Sequence, residues 1–143
     1  MAFVRIWVHV VWRTKSSSKV LTIDKRGKLF EHIRENAVKK QIFVDTINGH
    51  LDHVHCLLGL NADMSISKTM QLIKGEAAFW ANKENLISPK LEWGDEYFAS
   101  SVSESMLDKV RVYINNQEDH HKKVSFQEEY DLFIQKYGHI ITC

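Results

Sequence analysis

Two histidines separated by a single residue lie inside an apolar stretch of the chain. They are His53 and His55, in the segment HVHCLLGL at 53–60. Because successive side chains of a β-strand point to opposite faces, a strand would place both imidazoles on one face, about 6–7 Å apart. Two such imidazoles can bind one transition-metal ion, and added oxygen ligands make a site suited to Mg²⁺ or Mn²⁺. The alternative is two polar residues on the open face of a half-buried strand.

A tyrosine and a glutamine in the last third of the chain form the second candidate group. Tyr113 and Gln117 are four residues apart in VRVYINNQEDHHKK, so a helix would place them on one face, with His120 and His121 close to it. A phenol has a pKa of about 10 and is a poor nucleophile at neutral pH, but a metal ion that polarises the electrophile makes it effective. The amide oxygen of Gln117 suits a hard cation. The alternative is a core tyrosine with its hydroxyl at the rim, and a solvated glutamine.

The hydrophobic pattern predicts which elements position the histidine pair. The apolar run FVRIWVHVVW at 3–12 predicts a buried strand, and a helix is predicted from Asp24, as its N-cap, to about Lys40. Alternating residues at 41–48 and the apolar run at 53–60 predict two strands joined by a tight turn. The histidine pair is therefore expected on the second strand of a β-hairpin.

The second half of the chain is predicted to be mainly helical. Apolar residues at spacings of three and four predict a helix from about 65 to 85, and EYFASSV at 96–102 predicts a short strand. A helix at 103–123 carries Tyr113, and a last helix is predicted at 125–137. The order β-α-β-β-α-β-α-α favours an α+β fold, with helices packed on one mainly antiparallel sheet.

Composition and length indicate one ordinary globular domain over 1–143. Of the 143 residues, 44% are hydrophobic and 26% are charged. The formal net charge is only +1, so any nucleic-acid binding must come from a local basic surface. The two cysteines, Cys56 and Cys143, do not suggest a disulfide framework. The apolar start is too short to span a bilayer and lacks the features of a signal peptide, so we expect a cytoplasmic protein.

Several segments together resemble one known family. The segments LDHVHCLL, KGEAAFW, LEWGDEYFASSVS and VRVYINNQEDHHKK resemble those of the single-tyrosine HUH transposases of small bacterial insertion sequences, including their REP-associated relatives. HUH stands for histidine, hydrophobic residue, histidine, and by itself it is a weak motif. Its combination with Y-x-x-x-Q on a late helix and the tail SFQEEYDLFIQKYG is far more specific. The resemblance covers nearly the whole chain and implies the ferredoxin-type sandwich of HUH and Rep proteins.

The resemblance also implies a role for each candidate residue. His53 and His55 match the family's metal ligands, Gln117 matches its third ligand, and Tyr113 matches its nucleophile. The implied reaction cuts and rejoins single-stranded DNA at hairpin-bearing element ends, through a 5′-phosphotyrosine and a free 3′-hydroxyl. It needs Mg²⁺ or Mn²⁺ and no ATP. The implied assembly is a homodimer, in which the tyrosine helix of one chain often completes the site of the other.

DNA contacts are predicted from basic residues near the expected site. The candidates for binding the phosphate backbone are Arg13, Lys15, Lys68 and Lys74, with ordinary solvated surface charge as the alternative for each. Asp52 precedes the histidine pair, and it either orients an imidazole or simply completes the turn.

Three other interpretations compete with a transposase. One is a non-catalytic module that binds hairpin DNA or RNA. Another is a host-adopted nuclease with the same chemistry, acting on palindromic repeats of the chromosome. The third, a histidine-triad nucleotide hydrolase, needs a third alternating histidine, and Leu57 stands in that position. A covalent protein–DNA adduct distinguishes a transposase or a host-adopted nuclease from a binding module, because a binding module forms none.

Overall fold

The structure is a computed structural model that describes residues 3–121 and 124–137. Its four strands form one sheet in the order β2-β3-β1-β4, and each neighbouring pair is antiparallel. The strands are β1 (Trp7–Thr14), β2 (Phe43–Gly49), β3 (His53–Gly59) and β4 (Trp93–Val102). The predicted hairpin is confirmed as β2 and β3, and the histidine pair opens a central strand.

One face of the sheet carries the main hydrophobic core. Alternate residues of the two central strands, such as Val10, Trp12 and Cys56, are buried on this face. Two helical stretches pack there. They are α1 (Ile23–Lys39) and a longer stretch made of α2 (Ile66–Met70), a π-helical turn (Gln71–Gly75) and α3 (Glu76–Lys83). Ser65 begins α2 as an N-cap, its side chain accepting the backbone N–H of Lys68.

The opposite face carries the late helices and the candidate residues. These helices are α4 (Leu107–Asn115), α5 (Gln117–His120) and α6 (Phe126–Tyr137). Leu57 packs with Leu107 and Ile114 of α4, and Val11 packs with Phe126 of α6. Because Val11 pairs with His55 in the register of β1 and β3, the histidine pair faces this second layer. The predicted α+β class with an antiparallel sheet is therefore confirmed.

Several element boundaries differ from the sequence prediction. Helix α1 begins at Ile23, after Thr22, so Asp24 lies in its first turn rather than at its N-cap. Strand β1 begins at Trp7 rather than at residue 3, because strand pairing starts there, opposite the last residues of both neighbours. Strand β4 begins at Trp93, three residues earlier than predicted. The helix predicted at 103–123 is interrupted, since Asn116 has φ −98° and ψ 21° and separates α4 from α5. Residues 122 and 123 lie outside the described residues.

The helices of the described residues do not include a membrane span. Within residues 3–121 and 124–137, every helix is too short or too polar to cross a bilayer.

Candidate metal centre and nucleophile

The two histidines of the H-x-H motif lie side by side under the late helices. His53 and His55 are both fully buried, and their ring centroids are 5.1 Å apart. Strand β3 has a partner strand on each side, so its backbone is fixed and both imidazoles point into the layer formed by α4, α5 and α6. The expected placement on one face is what the structure has.

Gln117 meets the histidines despite the break in the helix. Its side chain is fully buried, and its Oε1 atom lies 3.1 Å from His53 Nε2 and 3.0 Å from His121 Nε2. Its Nε2 atom donates to the Tyr113 carbonyl oxygen at 3.2 Å. The amide is thereby held with its oxygen towards the imidazoles, which is the orientation that a metal ligand needs.

Asp52 fixes the orientation of His53 from behind. Its Oδ1 atom lies 2.8 Å from His53 Nδ1. Partial burial would raise the pKa of Asp52, but the hydrogen bond with His53 and the charges of the neighbouring histidines together outweigh it, and the net pKa lies below the ordinary value. An ionised carboxylate at Nδ1 places the proton there and leaves the lone pair of His53 Nε2, on the side of Gln117 Oε1, free to bind a metal ion.

His55 is kept neutral by its surroundings. Its Nδ1 atom lies 2.9 Å from His9 Nε2, and its Nε2 atom lies 2.9 Å from Glu129 Oε1. Burial lowers the pKa of His55 to about 4, although Glu129 acts in the other direction. Burial and the neighbouring His55 lower the pKa of His9 to about 3. Neutral imidazole is the form that binds metal ions, so His55 is in the state that a metal centre requires.

Glu129 is the one residue at the centre of the site that the sequence did not reveal. It lies on α6 with 3% of its surface exposed, and its two carboxylate oxygens face different neighbours. Its Oε1 atom faces His55 and His121, whereas its Oε2 atom accepts a hydrogen bond from the Tyr113 hydroxyl and lies 2.7 Å from His120 Nε2. Burial would raise the pKa of Glu129, but hydrogen bonds with His121 and His55 bring it well below the usual range. Glu129 is therefore an ionised carboxylate buried among histidines.

His121 joins the same cluster from the end of α5. Its side chain is 3% exposed, its Nε2 atom lies 3.5 Å from Glu129 Oε1, and its Nδ1 atom lies 2.6 Å from the Val124 carbonyl oxygen. Burial lowers its pKa, but the hydrogen bond with Glu129, the charge of that carboxylate and the hydrogen bond with Val124 together raise it more, so the net pKa lies above the ordinary value. One donor atom from each of four residues lies within 4.8 Å of the other three: His53, His55, His121 and Glu129.

This donor set is chemically suited to a divalent cation. Three imidazole nitrogens and a carboxylate oxygen converge on one small region, and the amide oxygen of Gln117 lies beside them. Imidazole and carboxylate are both common ligands of divalent metals, and the ionised Glu129 supplies negative charge to offset that of the cation. The fold therefore contains a set of donor atoms that is compatible with the predicted divalent metal.

Tyr113 lies at the edge of this centre in its own chain. Its ring centroid is 5.6 Å from that of His55 and 6.1 Å from that of His9, and its hydroxyl donates to Glu129. Burial, and then the adjacent Glu129 carboxylate, raise the pKa of the Tyr113 hydroxyl above its ordinary value. The phenol is thus protonated, and the Glu129 carboxylate bridges its hydroxyl and the imidazole of His55.

The predicted DNA-binding residues divide into two places. Arg13 pairs with Glu96 at 2.7 Å and Lys15 with Glu92 at 3.3 Å, both at the end of β1 that adjoins His53. Lys68 and Lys74 lie on the helical stretch of the opposite face. Burial lowers the pKa of Lys74, whose ammonium group donates to the Gly94 carbonyl oxygen at 2.9 Å. DNA contact by these four residues stays a prediction.

The buried neutral histidines predict that the metal-free protein loses stability in mild acid. The folded-state pKa of His9 lies below the ordinary value of 6.5, so the unfolded chain binds more protons at pH below 6.5. Stability therefore falls as the pH falls from about 6.5 towards the folded pKa of about 3, and His55 acts in the same direction down to about 4. His121, whose pKa is raised, acts in the opposite direction.

A substitution of His9 separates the acid sensitivity caused by its low pKa from the opposite effect of His121. We expect the free energy of unfolding to drop by a few kcal/mol between pH 7 and pH 4.5 in urea titrations with chelator present. His9→Gln removes one group with a depressed pKa and should lose less stability over the same range. An equal drop in His9→Gln and in the unsubstituted protein would contradict the assignment of this pH dependence to His9.

Comparison with known proteins identifies the family. The Transposase IS200-like family model matches residues 2–117. The chain is 28% identical over 117 residues to the ISDra2 transposase TnpA of Deinococcus radiodurans, a match that covers 78% of this chain and 83% of the relative.

Two solved structures have the same fold. One is from Deinococcus radiodurans R1, assigned as a transposase, with a TM-score of 0.64, 23% identity, and coverage of 81% of this chain and 93% of that one. The other is a REP-associated tyrosine transposase bound to a REP hairpin, with a TM-score of 0.62, 16% identity, and coverage of 87% and 73%. Because the family model matches most of the chain, this protein belongs to the IS200-like transposase family.

Proposed function

We propose that this protein cuts and rejoins single-stranded DNA at hairpin-bearing element ends, with Tyr113 as nucleophile and a divalent ion bound by His53, His55 and Gln117. One observation carries the proposal. A single carboxylate, Glu129, contacts both the Tyr113 hydroxyl and the imidazole of His55, so the nucleophile and the metal-binding residues belong to one site. Family membership supports the proposed substrate class, and the geometry supports the proposed residues.

The chain's own groups account for the chemistry of cleavage. The Tyr113 oxygen forms a bond to phosphorus, the bond from phosphorus to the 3′-oxygen breaks, and the products are a 5′-phosphotyrosine and a 3′-hydroxyl. A bound divalent ion would act as a Lewis acid on the phosphate and offset the charge that develops in the transition state. Glu129 Oε2 already accepts the hydrogen bond of the phenol, so it is the group placed to take the proton of Tyr113.

The reverse step uses the same residues. A 3′-hydroxyl that attacks the phosphotyrosine restores a phosphodiester and releases the Tyr113 oxygen, which regains a proton. The bond energy is kept in the covalent intermediate, so the cycle requires no ATP. Gln117 supports both directions, because its amide links the helix that carries the tyrosine to His53 of the sheet.

Single-stranded hairpin DNA is the proposed substrate and a homodimer is the proposed assembly. Arg13 and Lys15 lie at the end of β1 beside His53, where a phosphate backbone entering the site would pass. The fold is also that of a REP-associated tyrosine transposase bound to a REP hairpin. Since Tyr113 contacts Glu129 of its own chain, we propose that each site of the dimer uses its own tyrosine in this conformation.

The test is a search for a covalent protein–DNA adduct. The protein is incubated with single-stranded hairpin DNA labelled at its 3′ end, which stays on the fragment joined to the tyrosine, and with Mg²⁺ or Mn²⁺, and is run on a denaturing gel. When metal is present, we expect a labelled band at the position of the protein. This band should disappear when chelator is added or when the substrate is fully duplex. A protein that shifts the DNA on a native gel with metal, and never becomes attached, would instead be a hairpin-binding module. Hairpins from insertion-element ends and from chromosomal palindromic repeats, compared in parallel, distinguish a transposase from a host-adopted nuclease.

A further inference from the structure

Two side chains of the candidate metal centre come from residues that follow the family match. The family model ends at residue 117, whereas His121 and Glu129 follow it and are both almost fully buried at the metal-binding residues. Burying an ionised carboxylate costs several kcal/mol unless partners compensate. Glu129 meets that cost with contacts to the His55 imidazole of the sheet and to His120 of α5, and this indicates a purpose beyond anchoring α6.

The spacing of the donor atoms fits one ion. Ligands on adjacent positions of an octahedral ion, each bound at about 2.1 Å, are about 3 Å apart. Gln117 Oε1 lies 3.0 Å from His121 Nε2, and Glu129 Oε1 lies 2.9 Å from His55 Nε2. Glu129 Oε1 lies 3.5 Å from His121 Nε2 and 3.8 Å from His53 Nε2. The donors are thus separated as neighbouring ligands are.

Adding His121 and Glu129 to His53, His55 and Gln117 changes which metal ions the site prefers. Two imidazoles and an amide leave half of an octahedral ion to water and phosphate, a situation that Mg²⁺ tolerates. His121 raises the number of imidazole ligands from two to three, and Glu129 adds one anionic oxygen. Imidazole favours transition-metal ions over Mg²⁺. Five protein donors still leave one octahedral position for a phosphate oxygen.

Resting on the proposed function, we propose that His121 and Glu129 are further ligands of the same ion, and that this imidazole-rich set selects a divalent transition-metal ion such as Mn²⁺ over Mg²⁺. Glu129 uses Oε1 towards the ion and Oε2 towards the Tyr113 hydroxyl. The carboxylate therefore ties the nucleophile to the metal centre. The segment that follows the family match sets the metal preference of this protein.

Metal affinity, measured without any DNA, tests the proposal. Chelator-treated full-length protein is titrated with MnCl₂ and with MgCl₂ by calorimetry, and free Mn²⁺ is followed by electron paramagnetic resonance. We expect Mn²⁺ to bind at least about tenfold more tightly than Mg²⁺. His121→Ala and Glu129→Gln should each weaken Mn²⁺ binding by at least about tenfold and change Mg²⁺ binding less.

A second histidine–glutamate pair supplies the matched control. His32 of α1 lies 2.8 Å from Glu76 of α3 on the opposite face of the sheet, so His32→Ala and Glu76→Gln should leave Mn²⁺ affinity unchanged. Urea unfolding in chelator checks that each variant folds, and variants that do not fold are replaced by His121→Gln and Glu129→Ala.

The outcomes separate this inference from the proposed function. If His53→Ala abolishes Mn²⁺ binding while folded His121 and Glu129 variants bind as the control variants do, the additional ligands are refuted and the proposed function stands. Equal affinity for Mn²⁺ and Mg²⁺ refutes the selectivity. If the unsubstituted protein binds neither ion, the metal centre of the proposed function fails together with this inference.

Discussion

Replacing Tyr113 by phenylalanine is expected to abolish the covalent protein–DNA adduct and leave the fold and metal binding in place. The substitution removes one oxygen and keeps the ring that packs against His55 and His9. Without that oxygen no bond to phosphorus can form, so adduct formation should fall below detection, at least about a thousandfold. The lost hydrogen bond to Glu129 costs only about 1 kcal/mol of stability, since His120 and His55 still contact that carboxylate.

The measurement is the denaturing-gel assay with metal, run beside calorimetric Mn²⁺ binding. Tyr97→Phe is the matched control, because Tyr97 lies on β4 and packs with the main core of the other face. It should retain both adduct and metal binding. A covalent adduct of normal yield in Tyr113→Phe would assign the nucleophile to another residue and overturn the mechanism.

The histidine pair could be predicted because its geometry is local. The period of two in a strand places His53 and His55 on one face whatever the rest of the fold does. Apolar flanks indicate that the strand is buried, and the turn before it indicates a hairpin. The structure confirms each of these statements, with β3 spanning His53–Gly59 at the centre of the sheet.

The approach of Gln117 to His53 could be expected, but the reason differs from the one that the sequence suggests. A spacing of four implied one continuous helix, whereas Asn116 breaks the helix between the two residues. The sequence has no proline or glycine there to indicate the break. At the break, Asn48 of β2 donates to the carbonyl oxygens of Ile114 and Asn115, which are long-range contacts that occupy the end of α4. Such contacts are invisible to periodicity.

The part played by Glu129 was not predicted, although the last helix carries one signal of it. A glutamate in SFQEEYDLF reads as the solvated side of an amphipathic helix, because carboxylates are seldom buried. The signal that could have found it is its spacing. Glu129 lies three residues after Phe126 and next to Tyr130, both of which are buried against Val11. A charged residue on the apolar face of a helix indicates a partner, and here that partner is the histidine cluster.

A graded loss of metal affinity is expected when the support of His53 is removed step by step. His53→Ala deletes a ligand and should abolish measurable Mn²⁺ binding and, with it, adduct formation. Asp52→Ala removes the carboxylate that lies 2.8 Å from His53 Nδ1, so the imidazole loses its fixed tautomer and orientation. Such supporting carboxylates are worth about 10–100-fold in metal affinity. Asp52→Asn keeps an oxygen that accepts from Nδ1–H and should fall between Asp52→Ala and the unsubstituted protein.

The order of these three variants separates two roles for Asp52. If its only role is to complete the turn before β3, Asp52→Ala and Asp52→Asn should change urea stability in chelator and leave the calorimetric Mn²⁺ affinity alone. If it orients His53, the affinity must follow the order of the substitutions while the chelated proteins remain folded.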